Sequence, residues 1–360
     1  MAANKKTADR AVKALREAAH DTDVQRAAAA VLATGAAATA GKLGLDRAVA
    51  RRERAASRAF RLGAGEPVPD GIRRIARAQI DGALDHLDDG DGEELDTAVH
   101  EARKGLKRLR ATVRLARAEL GPEVYRRENA AFRAAGRRLA GARDAQVLVE
   151  TLDALCARYP AEVPTVAAGR LRLVLAAEHE TAQQRLAAND DSVAETIDGL
   201  RAARTRVATW TFDHADFDAL APGLRRIYRR GRRAYRAARA EPSTEHLHDW
   251  RKRVKDLWHA TQILEPAHPE RMKKQAKRTH GLSDLLGDDH DLAVLDGEVQ
   301  RRGREVGSET ELAALGALIT RRRTELQAEA MTAGAEIYKP KAKAFVRDIG
   351  RRWRKRASTA

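Results

Sequence analysis

A single cysteine, Cys156, stands among the 360 residues, so neither a disulfide nor a cysteine-based metal site can form within the chain. Aromatic residues make up only 4%, scarce for a protein that reads unpaired bases by stacking on them. No apolar run approaches the roughly 20 residues a bilayer-spanning helix needs. The first residues also lack the compact apolar core of a secretory signal. From Gly71 onward no segment shows the apolar–polar alternation of a strand. These absences predict a soluble, cytoplasmic, all-α protein, with no cofactor site and no membrane partner expected.

What the chain has in abundance is positive charge. Charged residues are 33% of the sequence and the net charge is +16, with a sequence pI near 10.3. Such an excess attracts polyanions, whether nucleic acid, an acidic membrane surface or a phosphate polymer.

The charge is patterned. In Val99 to Leu120, residues Val99, Ala102, Leu106, Leu109, Val113, Ala116 and Leu120 recur at alternating spacings of three and four, the seam of a packed helix. One residue after successive seam positions stand His100, Arg103, Lys107, Arg110, Arg114 and Arg117. One residue is about 100° of helix, so a cationic stripe runs beside the packed one. Leu247 to Leu264 repeats the seam with Leu247, Trp250, Val254, Leu257, Thr261 and Leu264, and its stripe begins identically with His248, Arg251 and Lys255.

Two further echoes occur in the same order. Gly71-Ile72-Arg73-Arg74-Ile75 matches Gly223-Leu224-Arg225-Arg226-Ile227, and the Leu139–Leu148 segment matches Leu285–Leu295 with one residue more in the second. Three echoes offset by roughly 150 residues predict an internal duplication: two pseudo-twofold-related bundles of about four helices each. The halves are placed at 63–200 and 210–350, joined across Asn189 to Ser192 and Thr211 to Asp218. Residues 1–62 form an Ala-rich basic arm, with Gly63 to Pro69 as linker, and 351–360 a basic tail. Asp96 and Thr244 are the expected N-caps of the two motif helices, which stop at Gly121-Pro122 and Glu265-Pro266. Lys339-Pro340 breaks the chain before a last helix carrying Phe345, Ile349 and Trp353. Gly35 to Leu43 imitates a nucleotide-binding P-loop, but it has five residues between its glycines, Leu43 after the lysine and no strand before it.

A helix carrying seven Lys or Arg against one Glu, as between Val99 and Arg117, is a receptor for regularly spaced anionic oxygens. From Arg103 to Arg117 the stripe would run about 21 Å at ~1.5 Å per residue. The segment Arg225 to Arg239 holds eight Arg and no acid, a density that repels itself unless an anion screens it. The candidate anion-binding residues are therefore the two stripes together with Lys104, Arg108, Lys252, Arg74, Arg77, Arg226, Arg229 and Arg230. His100 and His248 are either packing residues or donors that become cationic beside an anion. Asp288-Asp289-His290-Asp291 is the best metal or phosphohydrolase segment, although only the Asp recurs in the first half. Asp144 and Asp291 otherwise read as helix-start residues. No catalytic arrangement is legible.

His100-x-x-Arg103-x-x-x-Lys107-Arg108-Leu109-Arg110, repeated after about 150 residues in an all-helical chain, resembles the CHAD (conserved histidine α-helical domain) family over roughly 65–350. That resemblance implies two four-helix halves with a basic concave surface, and binding of inorganic polyphosphate without catalysis. It carries over to His100, Arg103, Lys107, Arg108 and Arg110, and to His248, Arg251 and Lys255. The second copy departs from the family at Asp256 and Trp258, where basic residues are common. No triphosphate-hydrolysing domain is legible in the Ala-rich arm, so a stand-alone binding module is expected. It could be drawn to polyphosphate granules. A nucleoid-type nucleic-acid binder, using the arm and the tail from Arg351 to Arg356, is the alternative.

Overall fold

In the computed structural model the described residues are 58–88, 94–139, 142–187 and 190–357, and all regular structure among them is helical. The arm up to residue 57, with its Gly35 to Leu43 segment, lies outside them, as do the side chains of Arg143 and Asp144. The helices are α1 (Val68–Asp88), α2 (Glu94–Leu115), α3 (Arg117–Arg138), α4 (Ala142–Arg158), α5 (Thr165–Ala187) and α6 (Asp190–Val207). They continue as α7 (Ala221–Ala240), α8 (Thr244–Ile263), α9 (Pro269–Arg302), α10 (Glu309–Ile337) and α11 (Ala342–Ala357).

The seams decide the packing. All seven seam residues of the first motif and all six of the second are buried, so each motif helix packs along its seam and carries its cations on the flank beside it. Truncating a leucine such as Leu106 or Leu109 to alanine at these positions costs about 2–5 kcal/mol. α1, α2, α3 and α6 pack on one another, α7 packs on α8, α8 on α9, and α9 on α10. The apolar clusters do not follow the halves of the sequence. One cluster joins α1, α2, α3 and α6 to α7, α8, α11, the first part of α9 and the last part of α10. The other joins α4 and α5 to the remaining parts of α9 and α10.

Several boundaries differ from the sequence expectation. Phe60 and Leu62, placed in the arm, are buried in the first cluster, and Leu62 N–H donates to the Ile263 carbonyl at 3.1 Å. Residues 351–357, placed in the tail, continue α11. The expected joint near Asn189 to Ser192 overlaps the start of α6 at Asp190, and α6 returns to pack on α1 and α3. Ser243, one residue before Thr244, caps α8 by accepting from His246 N–H at 3.2 Å. α2 begins at Glu94, two residues ahead of Asp96, and ends at Leu115.

The first motif is thus not one helix to Leu120. Ala116, with ψ 5°, leaves the helical conformation, and Gly121, at φ 69°, reverses the chain again before Pro122. Proline disfavours a helical predecessor, and glycine alone tolerates this left-handed value without strain.

Candidate functional site

On α8, His248, Arg251, Lys252 and Lys255 follow spacings of three, one and three, which gathers them on one face. α9 packs along that face with Asp284, Gly287, Asp288, His290 and Asp291, again at helical spacing. The Arg251 guanidinium lies across Gly287, where even an added Cβ would sit 3.5 Å from Nη2. The His248 and His290 rings approach to 4.3 Å between centroids, tilted by 32°.

Burial together with crowding of like charge sets the electrostatics. Desolvation, then His290, Lys252 and Arg251, push His248 down to about 4. Desolvation and Arg251 also lower His290. Lys255 is lowered to about 8 by burial, then by Arg251 and by Lys107 of α2, against the pull of Asp291 and Asp284. Lys107 and Lys255 hold the same motif position, so the two motif helices converge at these lysines. Asp288 is raised by burial and by the carboxylates of Asp291 and Asp284. Three buried nitrogens here, His248 Nδ1, Arg251 Nε and His290 Nδ1, have no hydrogen-bond partner among the described residues, and buried polar atoms rarely go unsatisfied.

Asp289 points elsewhere. It is buried and accepts from Arg323 Nε at 3.0 Å and Gln327 Nε2 at 2.8 Å, while Arg323 also reaches Thr244 Oγ1 at 3.1 Å. This carboxylate therefore fastens α10 to α9 and to the start of α8. Asp291 sits well inside the continuous helix α9, not at a helix start. Among the described residues no three His, Cys, Asp or Glu side chains are grouped to hold a metal ion.

The other predicted residues divide. His100 and Arg103 are half-buried on α2 and Lys107 is exposed, while Lys104 pairs with Glu101 at 2.8 Å, as Lys252 does with Asp249 at 3.7 Å. Arg114 crosses from α2 to Asp256 of α8 at 3.0 Å, and Arg253 joins the same carboxylate at 3.3 Å. Asp256, where the family commonly has a cation, is thus the ionic tie between the two motif helices. Arg110 meets Asn129 of α3 at 3.4 Å, and burial followed by repulsion from Arg114 lowers it to about 10. Arg108 reaches Gln79 of α1 at 3.5 Å and lies over the Phe60 ring. Arg117 stacks on Tyr125 from the start of α3. The expected 21 Å row of cations is therefore interrupted: the chain turns at Ala116, and Arg108, Arg110 and Arg114 engage neighbouring helices.

Arg74 is a fastening. Its guanidinium holds both Glu66 oxygens at 2.7 Å and the carbonyls of Ala59 at 3.2 Å and Arg61 at 2.8 Å. With Arg77 it lines a depression between α1 and Ala208 that also contains Asp70 and Asp81. Arg226 and Arg229 are exposed on α7, and Arg230 faces Arg253, Asp256 and Asp249 of α8. None of these reaches the α8–α9 face. That face was missed in the sequence as a unit, although the spacing Asp284, Gly287, Asp288, Asp291 marks one side of a helix.

The family model of the CHAD domain matches residues 74–300. No curated protein matches the chain. Among solved structures, PptA from Streptomyces chartreusis superposes with a TM-score of 0.53 at 17% identity, covering 76% of this chain and all of its own. The CHAD domain from the plant Ricinus communis superposes with a TM-score of 0.51 at 17% identity, covering 78% of this chain and 94% of its own. A helical chain with this doubled His-x-x-Arg-x-x-x-Lys motif, matched over most of its length by the family model, belongs to the CHAD domain family.

Proposed function

We propose that the protein binds inorganic polyphosphate, without catalysing its turnover, where Lys107 and Arg103 of α2 converge with His248, Arg251 and Lys255 of α8. The observation that carries this reading is the α8–α9 face, where cations are gathered and partly desolvated and where His248 Nδ1, Arg251 Nε and His290 Nδ1 are buried without a partner among the described residues, even beside the carboxylates of α9. A phosphate oxygen can serve the nitrogens that these carboxylates leave unpartnered. It accepts from Arg and Lys, offsets the burial and the repulsion by Arg251 and Lys107 that together lower Lys255, and favours protonation of His248. The family resemblance supports the same ligand, and retention at polyphosphate granules would follow from the same contacts. Among the described residues no helix is long and apolar enough to cross a membrane.

The test is calorimetric titration with long-chain polyphosphate near physiological salt. The expected result is saturable binding that weakens at least about tenfold, or ~1.4 kcal/mol, in the Arg103→Ala/Arg251→Ala double variant. Unchanged binding in a folded double variant would overturn the site.

A further inference from the structure

The exposed face of α7 is the most one-sided charge on the described surface. Arg225, Arg226, Arg229, Arg233, Arg236 and Arg239 are all exposed, and among the described residues no carboxylate pairs with any of them, whereas most arginines on other helices have an acidic partner within 4 Å. Of the remaining two, Arg232 donates to the Tyr338 carbonyl at 3.1 Å and Arg230 faces α8. The helix is held rigidly from behind. Tyr228 stacks on Phe345 of α11 at 4.2 Å, and Gly231 packs against the Tyr338 ring.

We propose that this face is a second polyanion surface, distinct from the α8–α9 site, and that it binds the phosphate backbone of duplex nucleic acid without reading sequence. Shape argues for a broad partner. At 100° per residue the six arginines spread over roughly 140° of helix surface and about 21 Å of length. One flexible thread neutralises a single row, whereas a duplex presents two phosphate rows and one charge per about 1.7 Å of axis. Chemistry argues against single strands, because both aromatic residues of α7, Tyr228 and Tyr235, are buried and leave no ring for base stacking. Every cation on the face is arginine, which grips phosphate oxygens two at a time. Acids with which to reject a wrong base are lacking, so contacts position the duplex and do not specify its sequence.

The test uses fluorescence anisotropy with a random-sequence 20-base-pair DNA duplex and, separately, long-chain polyphosphate, on the full chain. Arg229→Glu/Arg233→Glu/Arg236→Glu should weaken duplex binding more than about tenfold and lower the slope of log affinity against log salt by about 3. The Gln triple variant at the same positions keeps helix propensity and should lose duplex affinity by a smaller factor with an unchanged melting temperature. Polyphosphate affinity should stay within about threefold in both variants. The Arg103→Ala/Arg251→Ala variant should behave oppositely, keeping the duplex and losing polyphosphate, so each reading fails on its own arm. Equal loss of both ligands in the α7 variants would overturn the proposal by merging the face with the polyphosphate site. So would duplex binding indifferent to the Gln variant, absence of duplex binding near physiological salt, or capture only by phosphatidylserine-containing vesicles.

Discussion

Arg74 and Arg226 occupy the same position in the two Gly-x-Arg-Arg-Ile echoes, yet their surroundings are opposite. Arg74 is saturated by Glu66 and two backbone carbonyls, whereas Arg226 is exposed on the arginine face of α7. The glycines that open the echoes differ likewise. A Cβ on Gly71 would meet side-chain atoms of Leu62 and Glu66 at 2.4 and 2.8 Å, which can turn aside, but a Cβ on Gly223 would meet the Leu115 carbonyl oxygen at 1.8 Å. The motif helices repeat the lesson. Lys107 is exposed on α2, while Lys255 is half-buried under α9 and lowered to about 8. Similar sequence sets which groups are present, and the neighbouring helix decides whether each becomes a brace, a partly desolvated cation or a solvated charge.

The sharpest way to break this comparison is at the glycines. Gly223→Ala forces α7 away from the end of α2 and should destabilise the protein by about 3 kcal/mol or more, read as a fall in the denaturation midpoint. Gly71→Ala should cost clearly less. Equal losses would mean that the close approach of α7 to α2 is not what holds the glycine.

A middle-sized effect is expected from pH. In the free protein Lys255 loses its proton near 8, while a bound anion favours the charged form. Affinity for polyphosphate should therefore be full near pH 7 and fall about fivefold by pH 9, through a midpoint near 8, the loss of one charge-assisted contact. Lys255→Arg, charged throughout this range, should flatten that titration profile. A profile equally steep in the variant would assign the proton to another group.

The smallest effect distinguishes the paired arginines. Arg74→Ala should cost ~1 kcal/mol of stability, since its ion pair is partly solvated, and leave ligand binding intact. Arg226→Ala should leave the melting temperature unchanged.

Much of this was legible from periodicity. The seam residues from Val99 to Leu120 and from Leu247 to Leu264 are buried as their spacing requires, and the charged residues beside them lie on the flank of that seam. The break at Ala116 was not legible, because its cause is a backbone reversal and not a change of residue type. Nor was the partnership of His248 with His290, which depends on how α9 lies across α8. Arg74 carries the same charge as Arg226, and only the path of residues 59–66 around it reveals its structural role.

Helix α9 extends this reasoning to cooperativity. At 34 residues it is about 51 Å long, with Met272, Leu282 and Leu286 in one apolar cluster and Leu292, Leu295 and Val299 in the other. Gly287 to Asp291, the stretch facing the motif cations, lies at the junction. Neither cluster can lose α9 without exposing part of the other, so an anion bound at that junction would raise the melting of both together.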